Sequence, residues 1–456
     1  MRKQIIPLAM LFAGLVMSSC QQASNSGTSN AALPDSPATK TAVLEATPYN
    51  SDFAQGHTTW NALSTASDGK VYYVLCTDVI DAAAQMFCFD PQTQKISHLG
   101  DLSEICGQKG MKVVAQGKSH VNFVESKGKL YFATHVGYFD IKGGREQLST
   151  SLENGYQPYP GGHVIAYDLK SKTFEDLGKP YNHEGIIDMS MDTTRGLIYG
   201  VTWPTGNFFR YDLARKKFDD LGPFTMKGEA GTLGKDYRVL CRAIVVNEDN
   251  GDVYISTSDG EIMDLKLGQD ILKPMEGVNM KKDYFGQYDV SKTVTMGYNW
   301  RQAFWYAPEK VVYGVHANSG YLFRFDPSIP RVEVLDRLTS LPSKLSGMGD
   351  LFPLGYLGFE LGPDGRTIYY FTGSPIPKSA SDTASGRKRE GLHLITYDIP
   401  TRKYTDNGLV SLVDGESPRE VQSIAITKDA VYGLGTFNDH GKTRTDLFSI
   451  PNPLKK

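Results

Sequence analysis

A seven-bladed β-propeller is the fold that the sequence predicts, and three observations carry that expectation. Residues 162–178 (GHVIAYDLKSKTFEDLG) return 44 residues later as residues 206–222 (GNFFRYDLARKKFDDLG). Polar two-residue turns recur between β-branched and aromatic runs at Asp68-Gly69, Lys127-Gly128, Arg195-Gly196, Asn250-Gly251, Glu309-Lys310, Asp364-Gly365 and Lys428-Asp429. Their spacing of 55 to 68 residues suits one four-stranded blade each, with the surplus length in loops. Runs ending in aromatic-Asp mark the third strand of a blade, at residues 86–90, 164–168, 208–212, 322–326 and 394–398. The Asp is suited to starting the turn into a fourth strand.

The four strands of each unit are designated A to D from the inside outward. The last unit offers only three, at residues 421–427, 430–437 and 445–450. Residues 41–47 (TAVLEAT) are expected to supply the missing strand, closing the ring and removing its exposed edges. A closed ring needs no second copy, so a monomer is expected.

The ends read differently. Residues 1–19 have the make-up of an export signal, with Arg2 and Lys3 followed by an apolar stretch from Ile5 to Met17 and the small pair Ser18-Ser19. Cys20 is then expected to carry a lipid, as in a bacterial lipoprotein, so that the chain is tethered to a membrane by lipid alone. Residues 20–40 are small and polar, a flexible tether, and residues 41–456 are the propeller. These expectations place the protein in the bacterial cell envelope.

Loss of Arg2 and Lys3 with the leader takes the formal charge from −3 to −5. That balance gives no global field toward nucleic acid, and a polyanion would need a local basic patch. Cys76, Cys88, Cys106 and Cys241 form no CxxC or CxxCH pattern, so haem and zinc-ribbon sites find no support.

Because strand A runs nearest the axis and B returns beside it, the start of A and the end of B meet at one face. In blade order those positions hold His57, Trp60 and Asp78, then Lys118, His120, His135 and Tyr138, then Tyr181, His183, Glu184 and Trp203. Tyr237, Arg238 and Arg242 follow, then Trp300, Arg301 and His316, and finally Tyr356. The opposite face carries plain hairpin turns. Five of the nine histidines thus share one rim with three arginines. Arg and Lys clamp anionic oxygens, His and Tyr exchange protons near neutral pH, and indole and phenol faces suit sugar rings. Such a set fits an anionic polysaccharide. Glu184 has no acidic neighbour apart from the distant Asp78, which disfavours hydrolysis by paired carboxylates. A nucleophile elbow and a phosphate loop are both absent. β-Elimination from a uronate needs no carboxylate pair.

Residues 117–135 (GKSHVNFVESKGKLYFATH), with Gly161-Gly162-His163 and the two Tyr-Asp-Leu repeats, resemble the propeller lyases that cleave ulvan, a sulfated polysaccharide rich in uronic acid. The resemblance implies a polysaccharide lyase in which His120, His135 and Tyr181 are catalytic. It fits Tyr237, Arg238 and Arg242 to a second Tyr and a uronate-binding role, with His183 a rival to Tyr181, and the rim positions add Lys118, Trp203, Trp300, Arg301 and His316 as expected substrate contacts. Some relatives hold a metal ion, structural or carboxylate-neutralising; the sequence itself requires none. The same rim would also serve a non-catalytic surface propeller that captures glycan or protein. An envelope assembly scaffold is a third reading, although the Gly-x-x-x-Trp ending that recurs in each blade there does not recur here.

Overall fold

Seven blades, each built on a four-stranded antiparallel array, make up the fold, and each A–B turn falls where the polar dipeptides place it. The computed structural model describes residues 42–57, 59–292, 295–341, 344, 358–372, 391–439 and 442–455. The leader, Cys20, the tether and Tyr356 lie outside the described residues.

The A and B strands are Leu63–Thr65 and Val71–Leu75, Val124–Ser126 and Lys129–Ala133, Gly185–Asp192 and Leu197–Trp203, Val245–Val246 and Val253–Ser256, Trp300–Tyr306 and Val311–His316, Phe359–Leu361 and Thr367–Thr372, and Ala425–Ile426 and Ala430–Asp439. The B strands Val71–Leu75, Val311–His316 and Thr367–Thr372 are buried from end to end, as expected for strands covered on both sheet faces. The D strands Lys95–Asp101 and Lys217–Pro223 hold no fully buried residue.

The repeated phrase has a mechanical explanation. At the end of strand C, the aspartate accepts backbone N–H bonds from the following turn, Asp168 from Ser171 at 2.8 Å and Asp212 from Ala214 at 2.8 Å. In strand D, the Asp-x-Gly triplet makes a bulge opposite the start of strand C. Asp176, Asp220 and Asp406 each accept from the glycine two residues on, at 2.8, 2.8 and 2.9 Å. Those glycines adopt φ of 96°, 75° and 122°, where a side chain is strained. The ladder register shifts at the same place in the second, third and sixth blades.

Ring closure differs in detail from the expectation. The strand that completes the seventh blade is Thr47–Pro48, paired antiparallel with Lys442–Pro451. Residues Val43–Glu45, expected in that strand, instead run parallel to Lys403–Ser411 and add a fifth strand to the sixth blade. The two short strands straddle consecutive blades, with Ala46 buried between them. Chain closure therefore joins the sixth and seventh blades through one continuous N-terminal segment.

One insertion was assigned only to loop length. Between strands B and C of the second blade, Phe139–Lys142 pairs with Arg145–Leu148 across Gly143-Gly144, whose φ values of 58° and 75° suit a tight hairpin turn. The four cysteines of the fold are buried free thiols. Among the described residues, no helix is long and apolar enough to cross a membrane.

Candidate functional site

The start of each A strand does face the end of B. Lys118 and His135 exchange backbone hydrogen bonds at 2.9 and 2.7 Å, Gly185 pairs with Trp203, and Trp300 pairs with His316. Side-chain alternation then decides which of these residues reach a common space.

Lys118, His120, His135, Trp60, Trp203 and Arg242 form one cluster. The His120 imidazole stacks on the Trp60 indole with centroids 4.4 Å apart, and meets His135 edge-on at 5.0 Å. His135 in turn meets Trp203 edge-on at 5.5 Å. The Lys118 ammonium lies 4.4 Å from the Phe139 ring and 5.7 Å from the Trp60 ring, which offer π faces to a cation held away from water. Lys118, His120 and His135 are buried, while Trp60 and Arg242 keep some solvent contact.

Electrostatics keep both imidazoles neutral. Burial pushes His120 well below its ordinary value, helped by His135, Arg242, Lys118 and Arg301. Burial does the same for His135, with Lys118 and Arg242 adding to it. The Lys118 ammonium is also shifted down, chiefly by burial, with Glu146 opposing. The result is a pair of unprotonated bases beside cations, with aromatic walls. Asp188 lies near the two arginines. Burial raises its carboxyl to about 7 against the opposing pull of the Ile244 and Met189 amides and of Arg301 and Arg242.

Glycine makes this packing feasible. A Cβ on Gly185 would sit 2.1 Å from His135 Nδ1, and that nitrogen is buried without a hydrogen-bond partner among the described residues. Gly185→Ala must therefore displace the imidazole or the blade edge. A loss of about 1–3 kcal/mol in unfolding free energy is expected for such overpacking, read by denaturant titration.

The hairpin from the second blade covers part of the cluster. Phe139 contributes the ring facing Lys118. Arg145 stacks on Tyr237 at 5.4 Å and donates to the Gly231 carbonyl at 3.0 Å. The second-blade hairpin is thereby joined to the segment that connects the third and fourth blades. The hairpin was missed as a site element, although Gly143-Gly144 between two strand-like runs was the available signal.

Several expected contacts lie elsewhere. Tyr181 donates a short hydrogen bond to Asp220 in the outermost strand of the third blade, so its hydroxyl is directed to the periphery rather than toward His120. Burial and then the Asp220 carboxylate raise its pKa. His183 is exposed, sits at φ 63° and bonds the Tyr159 carbonyl through Nδ1 at 2.8 Å. Trp300 is 0 % exposed, stacks on Phe323 and donates Nε1–H to the Ala243 carbonyl at 2.7 Å, which makes it a core residue. His316 is likewise 0 % exposed, stacked on Phe285 at 4.2 Å and bonded to Ser319 Oγ at 2.8 Å. Arg238 is committed to Asp259 at 2.6 Å. Arg301 is buried beneath the face, where its charge acts on His120 and Asp188. The tyrosine that does share the electrostatic environment of Arg242 is Tyr237; burial first, then Glu229, raise its pKa and keep the hydroxyl protonated.

Burial of His316 has a measurable consequence. Its pKa is pushed down to about 3, below an unfolded value near 6.5, so the unfolded chain binds the extra proton as pH falls. The contribution of a neutral His316 to stability is complete above pH 6.5 and declines below it. The stability difference between wild type and His316→Leu is expected to move by about 2 kcal/mol against wild type between pH 6.5 and 5. Parallel denaturant titrations of the two proteins at both pH values check it.

No three of His, Cys, Asp and Glu come together among the described residues in a way that would hold a metal ion. No family model and no curated protein matches the chain. Among solved structures, the β-propeller domain of Cps50 (Swd1) from Myceliophteria thermophila is 8 % identical, with a TM-score of 0.51 over 89 % of this chain and 98 % of that one. A chain of a mitotic checkpoint complex is 11 % identical with a TM-score of 0.49, covering 95 % of this chain and 99 % of that one. At these identities the likeness concerns the fold alone, and the protein is a seven-bladed β-propeller.

Proposed function

We propose that the cluster around His120 and His135 binds the uronate units of an anionic polysaccharide and cleaves the chain by β-elimination. The observation that carries this reading is the pair of buried, unprotonated imidazoles beside Lys118 and Arg242. Arg242 and Lys118 balance the uronate carboxylate, which lowers the cost of carbanion character at C5. One imidazole takes the C5 proton, and the electron pair forms the C4–C5 double bond. The C4–O4 bond breaks, and a protonated group delivers its proton to the leaving oxygen. Tyr237 suits that last step better than Tyr181, because its hydroxyl is kept protonated close to Arg242. Trp60, partly open to solvent, offers a face to a sugar ring. The resemblance of residues 117–135 to ulvan lyases points to the same substrate class.

A surface propeller that only captures glycan would use the same aromatic and basic groups, and Trp60 with Arg242 favours it equally. The assay separating the two follows the ultraviolet absorbance of unsaturated uronate when the protein meets ulvan and other glycuronans. Growth of that absorbance is expected. Binding without any growth across substrates and pH values would replace the lyase reading with capture. Co-purification with an outer-membrane partner would favour the scaffold reading instead.

A further inference from the structure

We propose that Glu229 is the positioning residue of this site, an inference that rests on the proposed uronate recognition by Arg242. Glu229 lies in the 3-10 turn Gly228–Ala230, between the third and fourth blades. Its carboxylate gathers three donors from two segments of the chain, Trp203 from one and Leu240 and Arg242 from the other. Oε2 accepts from the Trp203 indole Nε1 at 2.8 Å. Oε1 accepts from the Leu240 backbone N–H at 3.1 Å and from Arg242 Nη2 at 3.2 Å.

The turn that carries Glu229 is itself anchored. The Glu229 and Ala230 N–H groups donate to the Pro204 carbonyl at 2.7 and 3.1 Å, and Arg238 N–H donates to the Gly228 carbonyl at 2.8 Å. Gly228 adopts φ 54°, and a Cβ there would lie 2.6 Å from the Pro204 oxygen, so the turn packs against the end of strand B with no room for a side chain. Both charged partners are largely buried, with the Arg242 and Glu229 side chains 15 % and 11 % exposed.

In a poorly solvated site, a guanidinium is held by whichever acceptors surround it, and one fixed carboxylate removes much of its freedom. Glu229 thus sets the position of Arg242 on one side. With the same carboxylate it holds Trp203, which meets His135 edge-on at 5.5 Å. Cation, indole and imidazole become one wall whose geometry depends on a side chain that does not itself face the proposed carboxylate. Glu229 also offsets part of the Arg242 charge, so that the arginine is retained at a buried position without a bound anion.

The test uses the full chain, with sodium D-glucuronate as the probe and the Trp203 indole and His135 ring resonances as readouts. Wild type, Glu229→Gln, Arg242→Ala and the double variant are titrated in parallel. Glu229→Gln is expected to weaken the glucuronate response at least tenfold, and the double variant to bind no more weakly than Arg242→Ala alone, because one residue acts through the other. Glu229→Asp, which keeps the charge, is expected to recover part of the response. The inference is overturned if Glu229→Gln responds as wild type does, or if the two single effects add. A wild-type protein without any glucuronate response overturns both this inference and the uronate reading. Response without cleavage of any polymer overturns only the lyase reading.

Discussion

His120→Ala and His135→Ala should each lower the rate of polymer cleavage by about 10²–10⁴-fold while leaving the propeller folded, the range typical for removing a general acid or base. Both imidazoles are held neutral by burial beside positive charge, so each is unprotonated at neutral pH. Their loss removes an aromatic contact as well, since His120 stacks on Trp60 and His135 meets Trp203. Some stability will go with them, and circular dichroism and thermal unfolding separate that from chemistry. Initial rates from the appearance of unsaturated uronate check the magnitude. Two folded variants with near wild-type rates would remove both histidines from the chemical step.

Trp300→Ala should act in the opposite way, destabilising the fold by about 3–5 kcal/mol, the usual cost of emptying a buried tryptophan site. Trp300 lies within an extensive apolar cluster, against Phe323 and Phe325, and its indole N–H is satisfied by the Ala243 carbonyl. Truncation leaves a cavity and removes the indole donor from that carbonyl. Denaturant unfolding of the variant beside wild type measures the loss. Trp60→Ala is the informative contrast, because Trp60 is only partly buried at the edge of the cluster. It is expected to weaken polymer binding more than it weakens the fold.

The contrast between these two tryptophans shows what was legible in the sequence. Period-two apolar runs and polar dipeptide turns are local signals, and all seven A–B turns fall at the expected dipeptides. The rule that the start of A meets the end of B is topological, and the Lys118–His135, Gly185–Trp203 and Trp300–His316 pairs follow it. That rule places backbone and leaves side-chain direction open. Trp300 and His316 turn into the apolar space between blades, whereas Lys118 and His135 turn toward the cluster. A one-residue difference in register is enough to reverse that direction. Tyr181 was displaced for a related reason: the blade connection leads its hydroxyl outward to Asp220. Glu229 could not be recognised from the sequence because its partners lie in two segments distant from it, Trp203 at the end of one blade's B strand and Leu240 with Arg242 before the next blade, and its role exists only after the third and fourth blades pack. The N-terminal closure was legible as an unpaired fourth strand, but the choice between Val43–Glu45 and Thr47–Pro48 depends on which neighbouring edge each meets.

The most direct test of a uronate site on this face is a crystal structure of the His120→Ala protein with a saturated uronate oligosaccharide. A uronate carboxylate is expected within hydrogen-bond distance of Arg242 or Lys118, with a sugar ring against Trp60. Oligosaccharide density confined to the opposite face or to the outer D strands, with the cluster unchanged, would contradict it.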